Sequence, residues 1–270
     1  MNQYNYLIII LINSVVIYLF CLQYFEHPLS FKLNNIYERT VTVTGTTRCP
    51  HIIHQIVPDL GDVPSGLYHT IKHNIKLNPE FEYRIYDYKM IDEILLNEFD
   101  QNTINAYNST LSYKLKTDYI KLLFILRYGG IFIDIKNICQ YKLINLIRIN
   151  NVFYIHNLTN DSMDLSLLAS HANNRAIKNT VNEATTNLLA NFYGNQLDEI
   201  TGGKLLEREL FYLGYLVKFA LLSIDDSNVV KYKPTNQNIL KIYNSFNKDN
   251  RTNNLLQDSL IEWNERILYM

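Results

Sequence analysis

The sequence predicts an α/β fold built on a mostly parallel central sheet, and three observations carry that prediction. Strand-like and helix-like segments alternate through residues 51–135, which is the rhythm of βαβ units. The stretch Tyr113–Asn137 reads as a helix, a pair of glycines and a short buried strand that ends in an acid. The 270 residues carry a formal net charge of −1 and 47% apolar side chains, a balance that suits one globular domain of moderate size and excludes a disordered chain. The same near-neutral charge gives no electrostatic basis for a nucleic-acid partner.

Taken in order, the chain opens on Leu7–Phe25, which contains no charged residue and is about as long as a bilayer core requires. No basic segment precedes it, and Glu26, His27 and Pro28 stand where a small-residue cleavage site would be needed. Residues 1–28 are therefore expected to form one transmembrane helix, with too little flanking charge to set its orientation. Residues 29–48 read as a polar stem that closes on a Thr/Gly cluster from Thr40 to Thr47. The globular domain is expected over 49–270. Three cysteines make no disulfide framework. Cys21 falls in the span, while Cys49 and Cys139 flank strands, either bridged or, more simply, as two buried free thiols.

Within the domain, His51–Val57 is expected as a strand, ended by Pro58 and the turn-rich Asp59–Gly66 segment. Leu67–Leu77 follows as an amphipathic helix, Phe81–Tyr86 as a strand and Lys89–Phe99 as a helix. In the central stretch Tyr119, Leu122, Leu123 and Leu126 recur at helical spacing with Lys114, Lys116, Lys121 and Arg127 between them. Gly129 and Gly130 stop that helix, because glycine readily takes the conformation needed just past a helix end. Ile131–Ile135 is then a buried strand of β-branched and aromatic residues. Asp134 emerges from this apolar run at the carboxyl end of a strand, where open α/β sheets place their ligands. Val152–His156 is expected as a further strand, and Arg175–Tyr193 and Glu207–Ser223 as helices. No phosphate-binding loop, dinucleotide fingerprint, zinc-protease motif or nucleophile elbow occurs.

The string T-D-Y-I-K-L-L-F-I-L-R-Y-G-G-I-F-I-D-I-K, from Thr117 to Lys136, resembles the sugar-binding region of glycosyltransferase family 32. That family includes the fungal initiating mannosyltransferases and is related to the glucosyltransferase domains of clostridial toxins. Pro50–Ile56, Asn78–Tyr83, Thr201–Gly203 and Glu262–Tyr269 resemble further segments of it, so the likeness runs from Pro50 to Tyr269. The resemblance implies a GT-A-type fold and a UDP- or GDP-hexose donor. It also implies a hydroxyl acceptor on a glycan, protein or lipid, retention of anomeric configuration, and a membrane of Golgi, ER or viral type. It makes Asp134 the first acid of the D-x-D pair, and gives donor-sugar hydroxyls to Asp118 and Lys121. Those two residues lie three apart on a helix and share a face, which an ordinary ion pair would also explain. It places His54 and Gln55 at the nucleotide base, where buried polar residues satisfied by the sheet are an equal account, and Trp263 as a closing aromatic.

The chain departs from the family pattern at three positions. Lys121 stands for an arginine, Val57 for a tryptophan, and Lys136 for the second acid of the pair. A protonated lysine cannot ligate Mn²⁺ or Mg²⁺ and repels it. Three outcomes stay open. Lys136 stands in for the cation, as a catalytic partner of Asp134; or Asn137 or a distant acid completes a metal site with Asp134; or turnover is lost and the scaffold binds a sugar nucleotide or glycan silently. A membrane-tethered structural protein without ligand is a further alternative. Asp164 is expected as a solvated loop acid.

Overall fold

The computed structural model describes residues 30–40, 48–149, 153–157, 162–213, 220–224, 229–232, 236–242 and 268–269. The expected anchor and Trp263 lie outside these residues. Among the described residues no helix is long and apolar enough to cross a membrane. The elements run β1 (Ser30–Phe31), β2 (Ile36–Tyr37), β3 (Ile52–Ile56), β4 (Val63–Pro64), α1 (Ser65–Leu77), β5 (Glu82–Tyr86), α2 (Tyr88–Glu98), α3 (Gln101–Ser109) and α4 (Tyr113–Tyr128). They continue with β6 (Gly130–Ile133), β7 (Asn137–Cys139), α5 (Leu143–Ile149), β8 (Phe153–Asn157), β9 (Ser162–Ser170) and α6 (Arg175–Leu189). A 3-10 turn (Leu197–Glu199), α7 (Gly203–Tyr212), β10 (Ala220–Ile224), β11 (Val229–Tyr232) and β12 (Gln237–Ile242) follow.

Among the described residues ten strands form one sheet in the order β2-β5-β3-β6-β9-β8-β10-β11-β12-β7. Parallel pairing holds for β5–β3–β6, where the strand–helix alternation announced it, and again for β8 with β10. β9 enters antiparallel to β6, and the strands beyond β10 also pair antiparallel, so the sheet is mixed. Residues 30–37, within the expected stem, lie against the domain: β1 pairs with β4, β2 pairs with β5, and the buried Leu33 donates its N–H to Leu60 O at 2.9 Å. Two-residue strands are too short to leave a period in the sequence. The helix expected over Glu207–Ser223 ends at Tyr212, and Ala220–Ile224 is a strand parallel to β8; a short apolar run does not distinguish the two states.

Both faces of the sheet are covered, which is why β6 reads as an unbroken apolar run. Ile131 and Ile133 pack on one face with Leu67 and Ile71 of α1 and Leu143 and Ile147 of α5. Phe132 packs on the other with Leu122 and Phe124 of α4 and Ile177 of α6. Helix α4 starts where Ser112 Oγ accepts the Leu115 N–H, and ends where Gly129, at φ 66°, donates its N–H to Ile125 O at 3.0 Å. Its residues from Asp118 to Ile125 are all buried. The helix is therefore enclosed on nearly every side, and its polar residues Asp118 and Lys121 are interior groups rather than a solvated stripe.

The opposite edge of the sheet is finished by a side chain. Asn74 of α1, with no exposure, donates Nδ2 to Asn137 O at 2.8 Å and accepts the Cys139 N–H on Oδ1 at 2.8 Å. Its amide thus takes the place of a neighbouring strand along β7, satisfying backbone groups that burial would otherwise leave unpaired. Cys49 and Cys139 are buried thiols not bridged to each other, and burial pushes each up to about 12.

Candidate functional site

Strand β6 ends at Ile133, and alternation along the strand directs Asp134 to the same face as Phe132, toward α4. The backbone of Asp134 is fixed on three sides. Its N–H donates to Ser166 O at 2.8 Å, and its carbonyl accepts the Asn137 N–H at 3.0 Å and Gln55 Nε2 at 3.3 Å. Its carboxylate turns outward. Oδ1 accepts the Lys136 N–H at 3.0 Å, and Oδ2 faces Lys121 Nζ at 3.8 Å. The Asp134 side chain is 30% exposed, against 6% for Asp118 and 7% for Lys121, so of the two acids beside Lys121 it is the one that meets solvent.

Behind it lies a chain of opposite charges. Lys121 Nζ sits 3.2 Å from Asp118 Oδ1, Lys114 Nζ sits 2.8 Å from Asp118 Oδ2, and the same Lys114 meets Asp198 Oδ1 at 2.8 Å. Helical spacing makes the α4 contacts, since residues three and four apart share a face. The chain joins the 3-10 turn, α4 and the end of β6. Lys121 Nζ also lies 5.7 Å from the centroid of the Phe132 ring. Burial acts to raise the Asp118 carboxyl, but the Lys114 and Lys121 ammonium groups outweigh it and hold it below the usual range. Burial acts to lower Lys121, and the Asp118 and Asp134 carboxylates outweigh that and raise it. Asp118 and Lys121 are therefore ionised at neutral pH.

Asp164 requires a correction: it lies on β9, not in a loop, and its Oδ1 accepts the Ser166 N–H at 2.7 Å. Burial raises its carboxyl, the Ser166 N–H and the Lys121 and Lys114 charges oppose that shift, and the Asp134 charge adds to it. The signal was present in the alternation Met163-Asp164-Leu165-Ser166-Leu167, in which the three apolar residues are buried. Gly203 packs its bare backbone beside this strand; a Cβ there would stand 1.9 Å from Met163 O. Lys114 could have been found from its spacing to Asp118. Asp198 sits in the 3-10 turn and left no signal.

His54 and Gln55, expected at a nucleotide base, are held by groups of the scaffold. Both have no exposure. Gly129 O can only accept, so His54 Nε2 donates to it at 2.9 Å, and Nδ1 accepts from Tyr86 Oη at 2.9 Å. Gln55 accepts from Tyr83 Oη at 3.0 Å and acts at one remove from the site through the Asp134 carbonyl. Burial lowers the His54 imidazole from 6.5 to about 4. Because the folded value lies below the unfolded one, the stability this neutral ring contributes is present above 6.5 and is lost as pH falls toward 4. We expect the denaturation midpoint to register a loss of about 1 kcal/mol between pH 6.5 and about pH 5.5, which His54→Gln removes.

Asn137, expected to share a metal ion with Asp134, is 1% exposed and donates Nδ2 to Ser166 O at 2.8 Å. The residues present do not fit a divalent cation. Asp134 already has a backbone N–H on one oxygen and an ammonium group facing the other, Lys136 follows it, and Asn137 is enclosed. Among the described residues no group of three or more His, Cys, Asp or Glu side chains is placed to hold a metal ion, and hard cations need several oxygen ligands.

Residues 64–154 match the family model described as "Glycosyltransferase sugar-binding region containing DXD motif". The matched stretch contains Asp118, Lys121, Asp134, Lys136 and Asn137, so the resemblance read from the central string holds over the site itself. The chain is also similar to an uncharacterized glycosyltransferase of Acanthamoeba polyphaga mimivirus, with 27% identity over 112 residues, 41% of this chain and 45% of that protein. It thus spans less than half the length of that relative. Among solved structures it is similar to the glycosyltransferase PaToxG, with TM-score 0.48 and 16% identity over 61% of this chain and 69% of that one. The apo-form glycosyltransferase GlyE of Streptococcus pneumoniae TIGR4 gives TM-score 0.31 and 11% identity over 66% of this chain and 46% of that one.

Proposed function

We propose that this chain is a hexosyltransferase that moves a sugar from a nucleotide donor to a hydroxyl acceptor, carried on an amino-terminal membrane anchor at Leu7–Phe25. One observation carries the reading. Within the stretch matching a glycosyltransferase sugar-binding region, the Asp134 carboxylate stands 30% exposed at the end of a buried strand, backed by a charge chain through Lys121 and Asp118. Asp134 accepts hydrogen bonds from donor hydroxyls and Lys121 donates to the donor. Asp118, with both oxygens committed to lysines, sets the position of Lys121 rather than meeting the sugar by itself. In the reaction the bond between sugar C1 and the diphosphate oxygen breaks, with its electron pair leaving on the diphosphate. The acceptor oxygen bonds to C1, and its proton passes to the departing diphosphate. A front-face course of this kind gives retention, as the family resemblance implies, and needs no glycosidase-like pair of acids.

The test is hydrolysis and transfer from a panel of UDP- and GDP-hexoses by the full chain in mild detergent. Asp134→Ala is expected to lower turnover about a hundredfold while the fold is kept, since one preorganised polar contact to the reacting group is removed. Equal turnover in Asp134→Ala and the parent would sink the assignment. A second reading is favoured by one observation, the lysine in the place of the second acid: the scaffold binds a sugar nucleotide without turning it over. Retained binding with no turnover in either protein selects it.

A further inference from the structure

Resting on that reading of the site, we propose that the donor's diphosphate is bound without a divalent cation, its charge being met by the Lys136 ammonium together with Lys121. The argument begins with charge. Exchanging an acid for a lysine raises the local charge by two units, which is the charge a divalent cation brings. An aspartate–lysine pair therefore presents the same net charge to a diphosphate as two aspartates with a bound divalent ion.

Geometry supports the exchange. The Asp134 carboxylate is held from behind by the Lys136 N–H at 3.0 Å, which folds Asp134–Ile135–Lys136 into a turn immediately past β6. That turn keeps Lys136 at the same strand end as Asp134, on a half-buried residue that makes no ion pair among the described residues. The other lysines of the cluster differ in this respect. Lys114 lies against Asp118 and Asp198, and Lys121 against Asp118 with Asp134 beyond. A fixed ammonium differs from a bound ion in chemistry as well as in origin. It donates hydrogen bonds along three directions and, being part of the chain, is not withdrawn by a chelator, so binding of the donor has no metal requirement. Asn137 is then a structural residue, consistent with its enclosure and its bond to Ser166 O at 2.8 Å.

The deciding measurement is calorimetric binding of UDP and GDP to the full chain in detergent, in Mn²⁺ and in EDTA. The expected result is an affinity equal within about twofold in the two conditions, and weakened about tenfold in both by Lys136→Ala, the loss of one charge-assisted hydrogen bond. Lys136→Asp, which restores the second acid, is expected to bind in Mn²⁺ and to lose binding in EDTA. Binding by the parent only in Mn²⁺, or an unchanged affinity in Lys136→Ala, overturns the inference and leaves the transferase reading standing. Failure of both nucleotides and their hexose conjugates to bind in either condition overturns the transferase reading, and this inference with it.

Discussion

Asp118→Ala is expected to lower donor turnover about a thousandfold and to destabilise the fold by about 3 kcal/mol, the low end for breaking a buried ion network by removing one member. The value follows from what each lysine keeps. Lys114 is 29% exposed and retains Asp198 at 2.8 Å, so it is not stranded. Lys121 is 7% exposed and retains only Asp134, at 3.8 Å, among the ion pairs of the described residues. Its ammonium then turns toward Asp134, and the carboxylate that should meet the donor is occupied from within. The loss of activity thus exceeds what the loss of stability explains. Urea denaturation gives the stability, and steady-state kinetics well below the melting temperature give the activity. Asp118→Asn separates the two roles, because it retains the shape and one acceptor but removes the charge. Its stability should fall less than that of the alanine variant, while kcat falls nearly as far. Full activity in Asp118→Asn would show that the carboxylate charge does not position Lys121. The acid limb is also distinct from that of His54, since the Asp118 contribution is present above 3.8 and lost only as pH falls below it.

The site was legible in the sequence wherever a short-range pattern carries it. The glycine pair, the apolar strand and the acid at its end are adjacent in the chain, and Asp118 and Lys121 lie one helical turn apart. What could not be read were contacts between distant segments. Asp198 reaches Lys114 from 84 positions away by chain numbering, and nothing in its own neighbourhood marks it. Polar residues on a first strand, such as His54 and Gln55, are open to either a ligand or the sheet, and their bonds to Tyr86, Gly129 and Tyr83 depend on segments distant in the chain. The parallel half of the sheet was visible because helices separate its strands. The antiparallel half was not, because β9 carries Asp164 and Ser166 within an alternating run that also passes for a polar loop. The burial of Lys121 is a further such case: it is interior because α4 is covered on the sheet side and by α6.

Gly130→Ala is expected to destabilise the protein by about 3 kcal/mol, the combined effect of a side chain held at positive φ and of overpacking. The two central glycines serve different ends. Gly129, at φ 66°, closes the helix. Gly130, at φ 95°, is already the first residue of β6, and a Cβ there would stand 2.5 Å from Ile52 O, 3.2 Å from Ile52 Cβ and 3.3 Å from His54 Nε2. The nearest of these atoms is backbone, in a strand paired in register with β6 through Ile53 and Ile131. Relief therefore requires β3 and β6 to separate, and Asp134, four residues further on, moves with β6. Reduced donor affinity should accompany the loss of stability even at temperatures where the variant is folded. Gly61→Ala is the control. Its Cβ would meet a side-chain atom, Asp59 Oδ1 at 3.2 Å, in an exposed turn, and its effect should stay within about 0.5 kcal/mol. If Gly130→Ala unfolds at the same urea concentration as Gly61→Ala, the close approach of β3 to β6 does not fix the strand that presents the acid.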